Sequence, residues 1–224
     1  MTNIQERMLQ MLQLQEELQH LIVGPNWREV GHPQWRAAYM EATEIVDHLG
    51  WKWWKHQETD VDQLHLELVD IFHFLMNQDI IEFKGDLESL SNNYAHSFIS
   101  TSVNNKKDDC IYYVENFIAY CINLGFIKPG LFFSMCKMFN LNFDRLYEVY
   151  MSKNLLNIFR QKNGYKDGSY IKNWCIESNT PAYEDNVFLA SLVIDWSQPT
   201  AAQFVMEQLR LHYEQVLMFN GRVI

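Results

Sequence analysis

Two segments decide the fold of this chain: Glu41-Ala-Thr-Glu44 and Glu67-Leu-Val-Asp70. In each segment two acidic residues are three positions apart within a stretch that has helical apolar spacing, so both carboxylates lie on one helix face. The surrounding apolar residues place these acids at or beside the stripe that faces the core. Four carboxylates there would repel one another and lose hydration unless a cation lay between them.

Carboxylate oxygens without cysteine are the ligands that suit Mg²⁺ or Mn²⁺. The alternative is that the four acids lie on solvated helix edges, which is the common case for a single E-x-x-E segment. Because two such segments occur on successive predicted helices, the spacing alone favours neither alternative.

The composition is that of an ordered globular protein. The 224 residues carry a net charge of −10, and 48% of them are hydrophobic. Such an acidic chain does not have the basic face that nucleic-acid binding requires, and no apolar run is long enough to span a membrane. The four cysteines have no metal-binding spacing and the N-terminal stretch does not resemble a secretion signal, so we expect reduced thiols and a cytoplasmic location.

One segment of this acidic chain is basic. Between Lys153 and Lys172 the sequence has five basic residues and a single acid, Asp167. This excess of positive charge suggests a site for a polyanion of limited size, although a solvated basic turn would have the same composition. The chain has no glycine-rich P-loop, so phosphates would be held from outside by side chains.

The apolar periodicity predicts an all-α chain. The expected helices span approximately 4–22, 33–49, 60–78, 110–124, 129–138, 143–162 and 200–220, with short apolar helices before the last one. Asp60 or Asp62 is expected to cap the third helix, Asn163-Gly164 to end the sixth, and Thr200-Ala-Ala-Gln203 to form a capping box.

The polar stretch 82–109 interrupts this helical pattern. Its serines, asparagines and glycine predict an extended or partly ordered connection. We therefore expect residues 1–224 to form a single domain, and if the chain has a smaller second lobe, the boundary falls in 82–109.

Two amides lie on or near the apolar stripe of the first helix. Gln15 falls on the stripe, and Gln19 lies one turn further along. A core-facing amide needs a hydrogen-bond partner, so Gln15 is either a satisfied core residue or a contact for a polar ligand. His73 follows Asp70 by three residues and shares the carboxylate face, where a packed core histidine is the commoner case.

These segments, taken in order, resemble a known family. Trp51-Lys-Trp-Trp-Lys55 follows the first acidic segment, and Ile-Phe-His73-Phe74 extends the second. Further along are the block from Lys153 to Trp174 and then Glu184-Asp185-Asn186. This order is similar to that of the dimeric, all-α dUTPases, which belong to the all-α NTP pyrophosphatase superfamily. The resemblance implies a helical bundle with a smaller helical lobe and an irregular phosphate-binding loop.

The resemblance also implies an activity: Mg²⁺-dependent hydrolysis of dUTP to dUMP and pyrophosphate by a metal-activated water, carried out by a homodimer. The metal ligands and catalytic residues would be Glu41, Glu44, Glu67 and Asp70, and Glu41 would orient or deprotonate the water. The phosphates would be contacted by Lys55, Lys153, Arg160, Tyr165, Lys166 and Lys172. The base and sugar would be contacted by Gln15, Gln19, Trp53, His73 and Asn186.

One departure from the family pattern leaves other substrates open. The family's first helix reads L-Q-x-x-L-N, whereas Leu14-Gln15-Glu-Glu-Leu18-Gln19 ends in glutamine. The extra methylene would shift the amide at the base. We therefore keep a dCTP/dUTP pyrophosphatase of broader base specificity as the alternative. The nucleotide partners are then dUTP, with dCTP and dUDP as further candidates.

Two other classes of protein account for less of the sequence. A helical di-iron carboxylate protein needs two E-x-x-H segments on helices, and Glu17-Leu-Gln-His20 is the one that lies in a predicted helix. It would also leave the basic segment without a role. A non-enzymatic helical interaction protein would explain the aromatic content but not the two opposed charge clusters.

Overall fold

The computed structural model of the protein describes residues 2–103, 110–178 and 180–221. Its helices are α1 (Thr2–Ile22), α2 (Gln34–His48), α3 (Val61–Glu82), α4 (Leu87–Ser100), α5 (Cys110–Leu124), α6 (Pro129–Met138), α7 (Phe143–Lys162), α8 (Asp185–Ser191) and α9 (Ala201–Phe219). A short 3-10 helix, Trp27–Glu29, precedes α2, and β1 (Asn173–Trp174) pairs antiparallel with β2 (Tyr183–Glu184). The all-α class is confirmed. No helix in the described ranges is long and apolar enough to cross a membrane.

The chain groups into two compact units. One consists of Met1–Glu16 with Asn26–Val149, and the other of Glu17–Pro25 with Tyr150–Ile224. The divisions along the chain fall within α1, between Pro25 and Asn26, and within α7.

The seven longer helices that periodicity predicts are all present, and two of the predicted end signals are in place. The side chain of Asp60 accepts a hydrogen bond from the backbone N–H of Gln63 at 3.1 Å, which caps α3. After α7, Gly164 adopts φ +90°, a conformation that glycine reaches without a steric penalty.

The expectation for 82–109 is wrong over half of its length, because α4 lies within it. Asp86 starts this helix by accepting the backbone N–H of Ser89 at 3.0 Å. Leu90, Tyr94 and Phe98 then recur at helical spacing and are buried. The polar residues of this helix outnumber its apolar ones, so the composition alone did not predict it. Residues 104–109 lie outside the described part of the chain.

Two further local expectations differ from the structure. Within the described residues Thr200 precedes α9, but its side chain makes no capping hydrogen bond, so the predicted capping box is wrong. The β1–β2 pairing was not predicted from sequence, since two-residue strands are too short to show alternation. Trp174 at the end of β1 is fully buried and packs against His212 and Tyr213 of α9 in the second unit.

Helix α3 lies at the centre of the first unit. Helices α2, α4 and α6 pack against it, and Phe72 stacks on Phe132 of α6 with ring centroids 5.0 Å apart. Because α3 is covered on most of its surface, several of its polar residues are buried as well, and each needs a partner. These are Glu67, His73, Asn77, Gln78 and Asp79.

Gln78 and Asp79 form a group of hydrogen bonds within this core. Gln78 donates to the backbone oxygen of Ile127 at 2.9 Å and accepts from the backbone N–H of Ile127 at 2.7 Å. Asp79 accepts hydrogen bonds from Gln78 at 3.0 Å and from the Tyr94 hydroxyl at 2.8 Å. Burial raises the pKa of the Asp79 carboxyl from 3.8 to about 6, and the two hydrogen bonds oppose that rise only in part.

We predict that Asp79→Asn stabilises the protein at pH 8 and has little effect at pH 4. The raised pKa means that the carboxyl stabilises the fold most when it is protonated, and this contribution is lost as the pH rises through about 6. In asparagine the carbonyl oxygen accepts from Gln78 and the amide nitrogen donates to the Tyr94 hydroxyl oxygen, so two hydrogen bonds remain without the charge, for a gain of up to about 3 kcal/mol. Thermal unfolding across this pH range measures the effect. The exposed neighbour Glu82 gives the control, since Glu82→Gln should change little. A gain that did not depend on pH would contradict this account.

Candidate functional site

Helices α2 and α3 bring three predicted metal ligands together. Carboxylate oxygens of Glu41, Glu67 and Asp70 all lie within 4.8 Å of one another. The two helices approach closely because α2 presents the small residues Ala38 and Ala42, both fully buried, on its inner face. Three of the four acids therefore meet, an arrangement that the spacing alone had left open.

The fourth predicted ligand, Glu44, is not part of this group. It is exposed on α2, and because it follows Glu41 by three residues, its side chain is offset from that of Glu41 by roughly 60° around the helix axis. The next residue along this side of α2 is His48, whose Nε2 lies 3.6 Å from a carboxylate oxygen of Glu67. Our sequence reasoning missed His48, although its position seven residues after Glu41 places it on the same face.

The three carboxylates suit a divalent cation. In six-coordinate Mg²⁺ the metal–oxygen bonds of about 2.1 Å place neighbouring ligand oxygens roughly 3 to 4 Å apart, which fits within the observed group. Glu67 is only 8% exposed, so its negative charge is poorly hydrated beside the other two acids. The residues that could hold a metal ion are thus Glu41, Glu67 and Asp70.

A chain of polar side chains connects α1, α3 and α2, and all of its members are buried except Gln34, which is half-buried. His73 Nδ1 lies 2.7 Å from Gln15 Oε1, and Gln15 Nε2 donates to Asn77 Oδ1 at 2.7 Å. Asn77 Nδ2 in turn donates to Gln34 Oε1 at 3.2 Å. We call these four residues the amide relay. Gln15 and His73 were predicted as site residues from sequence, whereas Asn77 and Gln34 were not.

The aromatic segment 51–55 follows α2 and lies at the surface. The Trp53 side chain is 88% exposed and contacts Trp54 edge to face, with ring centroids 5.4 Å apart. Lys55 is also exposed, while Lys52 forms an ion pair with Asp47. The two predicted substrate contacts in this segment, Trp53 and Lys55, are therefore accessible in the first unit.

In the second unit Arg160 is held by a buried carboxylate. Its guanidinium donates to both oxygens of Asp185, from Nε at 2.8 Å and from Nη2 at 2.6 Å, and a third nitrogen donates to Asn157 at 3.3 Å. Asp185 is fully buried and also accepts from the Tyr170 hydroxyl at 2.7 Å. Arg160, predicted as a phosphate ligand, is thus bound to the first residue of α8.

The other predicted contacts in the second unit have a range of partners. Lys166 donates to the backbone oxygen of Ile22 at 3.1 Å, and Lys172 pairs with Glu184 at 3.0 Å. The remaining four differ in exposure: Gln19 is buried, Lys153 is half-buried, and Tyr165 and Asn186 are exposed. Asn186 directly follows Asp185 in α8, so the Arg160 ion pair fixes the start of its helix.

The fold and the site define a class, an all-α protein whose paired acidic helices could hold a metal ion. A comparison with protein families matches residues 7–165 to the family described as dUTPase. The match covers most of the chain, so the chain belongs to the all-α dUTPase family, as the sequence resemblance predicted. Its activity is the hydrolysis of dUTP to dUMP and pyrophosphate. A comparison with curated proteins gives no match.

The matched range includes Glu41, Glu67 and Asp70, and the whole amide relay. It ends before Lys166, Lys172 and Asn186, which belong to the predicted substrate contacts. The family match therefore bears on the acidic helices more directly than on the segment after α7.

We predict that Arg160→Lys lowers the melting temperature. Lysine does not reproduce the two parallel hydrogen bonds to Asp185, and leaving a buried carboxylate partly unpaired costs about 1–3 kcal/mol. Thermal unfolding measures this effect. Lys162→Met is the control, because the Lys162–Glu17 ion pair is exposed and contributes little. Loss of activity at an unchanged melting temperature would instead support the phosphate contact predicted from sequence.

Proposed function

We propose that the chain hydrolyses dUTP at a Mg²⁺ centre held by Glu41, Glu67 and Asp70. The observation that carries this proposal is the grouping of their carboxylate oxygens within 4.8 Å in a member of the dUTPase family. When bound, Mg²⁺ would neutralise phosphate oxygens and lower the pKa of a bound water. Mn²⁺ has the same ligand preference and would be expected to substitute for it.

Within this centre we assign the proton-accepting role to Glu41. It is the member of the first acidic segment that lies in the carboxylate group, whereas Glu44 is exposed outside it. A half-buried carboxylate can both orient a water and accept its proton as the water oxygen attacks phosphorus. Glu67 is more buried and has His48 Nε2 at 3.6 Å, so a structural ligand is the better role for it.

The proposed phosphate contacts are Lys55, Lys153, Tyr165, Lys166 and Lys172. They rest on the resemblance and on the positive charge of the segment 153–172, which is unusual in a chain with a net charge of −10. Because Arg160 is bound to Asp185, we give it a positioning role at the start of α8, where Asn186 would contact the substrate. For the base and sugar we propose Gln15, Gln19, Trp53 and His73.

We also propose that the protein is a homodimer that associates through α5. This helix has one charged residue, Glu115, among fifteen. Tyr112, Ile122 and Leu124 are 64%, 54% and 61% exposed. Two copies of a chain with a charge of −10 repel each other, and this repulsion is smallest where the contacting faces are nearly uncharged. Exposed aromatic and aliphatic side chains with few charges among them are also typical of the buried centre of an interface.

We predict that Glu41→Gln reduces dUTP hydrolysis by on the order of a hundredfold or more, because the amide neither binds the cation well nor accepts a proton. Pyrophosphate release at saturating Mg²⁺ measures the rate, and it should stop when the divalent cation is chelated. Glu44→Gln is the matched variant on the same helix and should lose much less. Near-normal turnover in Glu41→Gln would exclude this assignment.

We predict that the protein sediments as a dimer of the 26.7 kDa chain at micromolar concentration and that Ile122→Lys converts it to a monomer. A buried lysine without a partner opposes association strongly. Leu211→Lys on α9 gives the control, because Leu211 is 41% exposed but lies outside the proposed interface. A monomeric wild type would contradict the proposed α5 interface. So would a dimer that Leu211→Lys dissociates and Ile122→Lys leaves intact.

A further inference from the structure

The amide relay has a direction. Asn77 Nδ2 donates to Gln34, so the oxygen of Asn77 is the atom that faces Gln15 and accepts from it. An amide has its donor and its acceptor on opposite branches, so Gln15 then presents its oxygen to His73. Each residue thereby fixes the orientation of the next along the relay.

The direction of the relay determines the tautomer of His73. Gln15 Oε1 is an acceptor, so the His73 Nδ1 that lies 2.7 Å from it must donate and carry a hydrogen. In the neutral ring the lone pair is then on Nε2. The ring is 7% exposed, Gln15 1% and Asn77 3%, so water has little access to replace these hydrogen bonds.

We propose that Asn77 and Gln34 are positioning residues for base selection, because they hold His73 in the tautomer that favours uracil over cytosine. This inference rests on the proposed role of His73 at the base. Uracil has a hydrogen on N3, which an imidazole lone pair can accept. Cytosine has a lone pair on N3, which would face another lone pair.

The relay bears on base selectivity through Gln15, whereas Gln19 lies outside it. A single amide can serve uracil or cytosine by rotating half a turn, so an amide alone discriminates poorly. Gln15 does not rotate without breaking its hydrogen bonds to both Asn77 and His73. Selectivity then depends on residues on α2 and α3 that need not touch the nucleotide.

The first test measures the tautomer directly. In ¹⁵N-labelled protein, long-range proton–nitrogen correlation spectra report which ring nitrogen of a histidine carries the hydrogen, and a His73→Gln spectrum assigns the signal. We expect the Nδ1–H form in the wild type and a mixture of tautomers in Asn77→Ala. Gln34→Ala should act in the same direction with less risk to the fold, and Gln34→Glu should restore the Nδ1–H form, because a carboxylate accepts from Asn77 as the amide does.

The second test measures the ratio of kcat/KM for dUTP to that for dCTP. The wild-type ratio should be at least about tenfold, and Asn77→Ala and Gln34→Ala should lower it by about fivefold, the effect of one hydrogen bond of about 1 kcal/mol. Gln78→Ala is the matched control: Gln78 is the adjacent buried amide on α3 and binds Ile127 outside the relay. It should lower the melting temperature and leave both the ratio and the tautomer unchanged.

Two results would overturn the inference. The first is a tautomer that does not follow the relay: the wild-type ring carries its hydrogen on Nε2, or neither Asn77→Ala nor Gln34→Ala changes the tautomer. The other is a changed tautomer with an unchanged substrate ratio. Failure of the wild type to hydrolyse dUTP with Mg²⁺ would instead overturn the proposed function, and the tautomer measurement would still test the relay, since it needs no activity.

Discussion

The burial of polar side chains on α3 is the constraint on which the rest of the first unit depends. Each buried polar group loses its hydrogen bonds to water, so the fold must supply a partner for it or leave a penalty of several kcal/mol. Different parts of α3 therefore specify different neighbours. Gln78 and Asp79 bind the α5–α6 connection and α4, and Asn77 and His73 bind α1 and α2. Packing and polar pairing thus select the same arrangement of helices.

The candidate site uses this same helix in two chemically different ways. Near its start, Glu67 and Asp70 face Glu41 of α2, where three like charges in a small volume favour a cation. Further along, His73 and Asn77 join amides, which bind without net charge and have direction. Glu67 and His73 are separated by about 9 Å along the helix axis. One rigid element therefore holds both the acidic group proposed to bind the metal and the polar group proposed to read the base.

Sequence reasoning predicted the helices well because their signals are local. Apolar spacing, the Asp60 cap and Asn163-Gly164 each act within a few residues, and the helices at 110–124, 129–138 and 143–162 have the predicted ends. The same reasoning failed at α4, where polar residues between Leu90, Tyr94 and Phe98 outweighed a short apolar stripe. It also failed at Thr200, where the residue types of a capping box are present without the hydrogen bond.

By itself, the sequence determined that the chain is helical, that its two acidic segments lie on successive helices, and that their order along the chain is that of the dUTPase family. Only the tertiary structure decided which side chains meet. It placed Glu41, but not Glu44, beside Glu67 and Asp70. It also placed Gln15 within hydrogen-bond distance of Asn77, 62 positions away, and paired Arg160 with Asp185. The physical reason is that helix periodicity places a residue on a face, whereas its partner depends on how two helices are rotated and packed against each other.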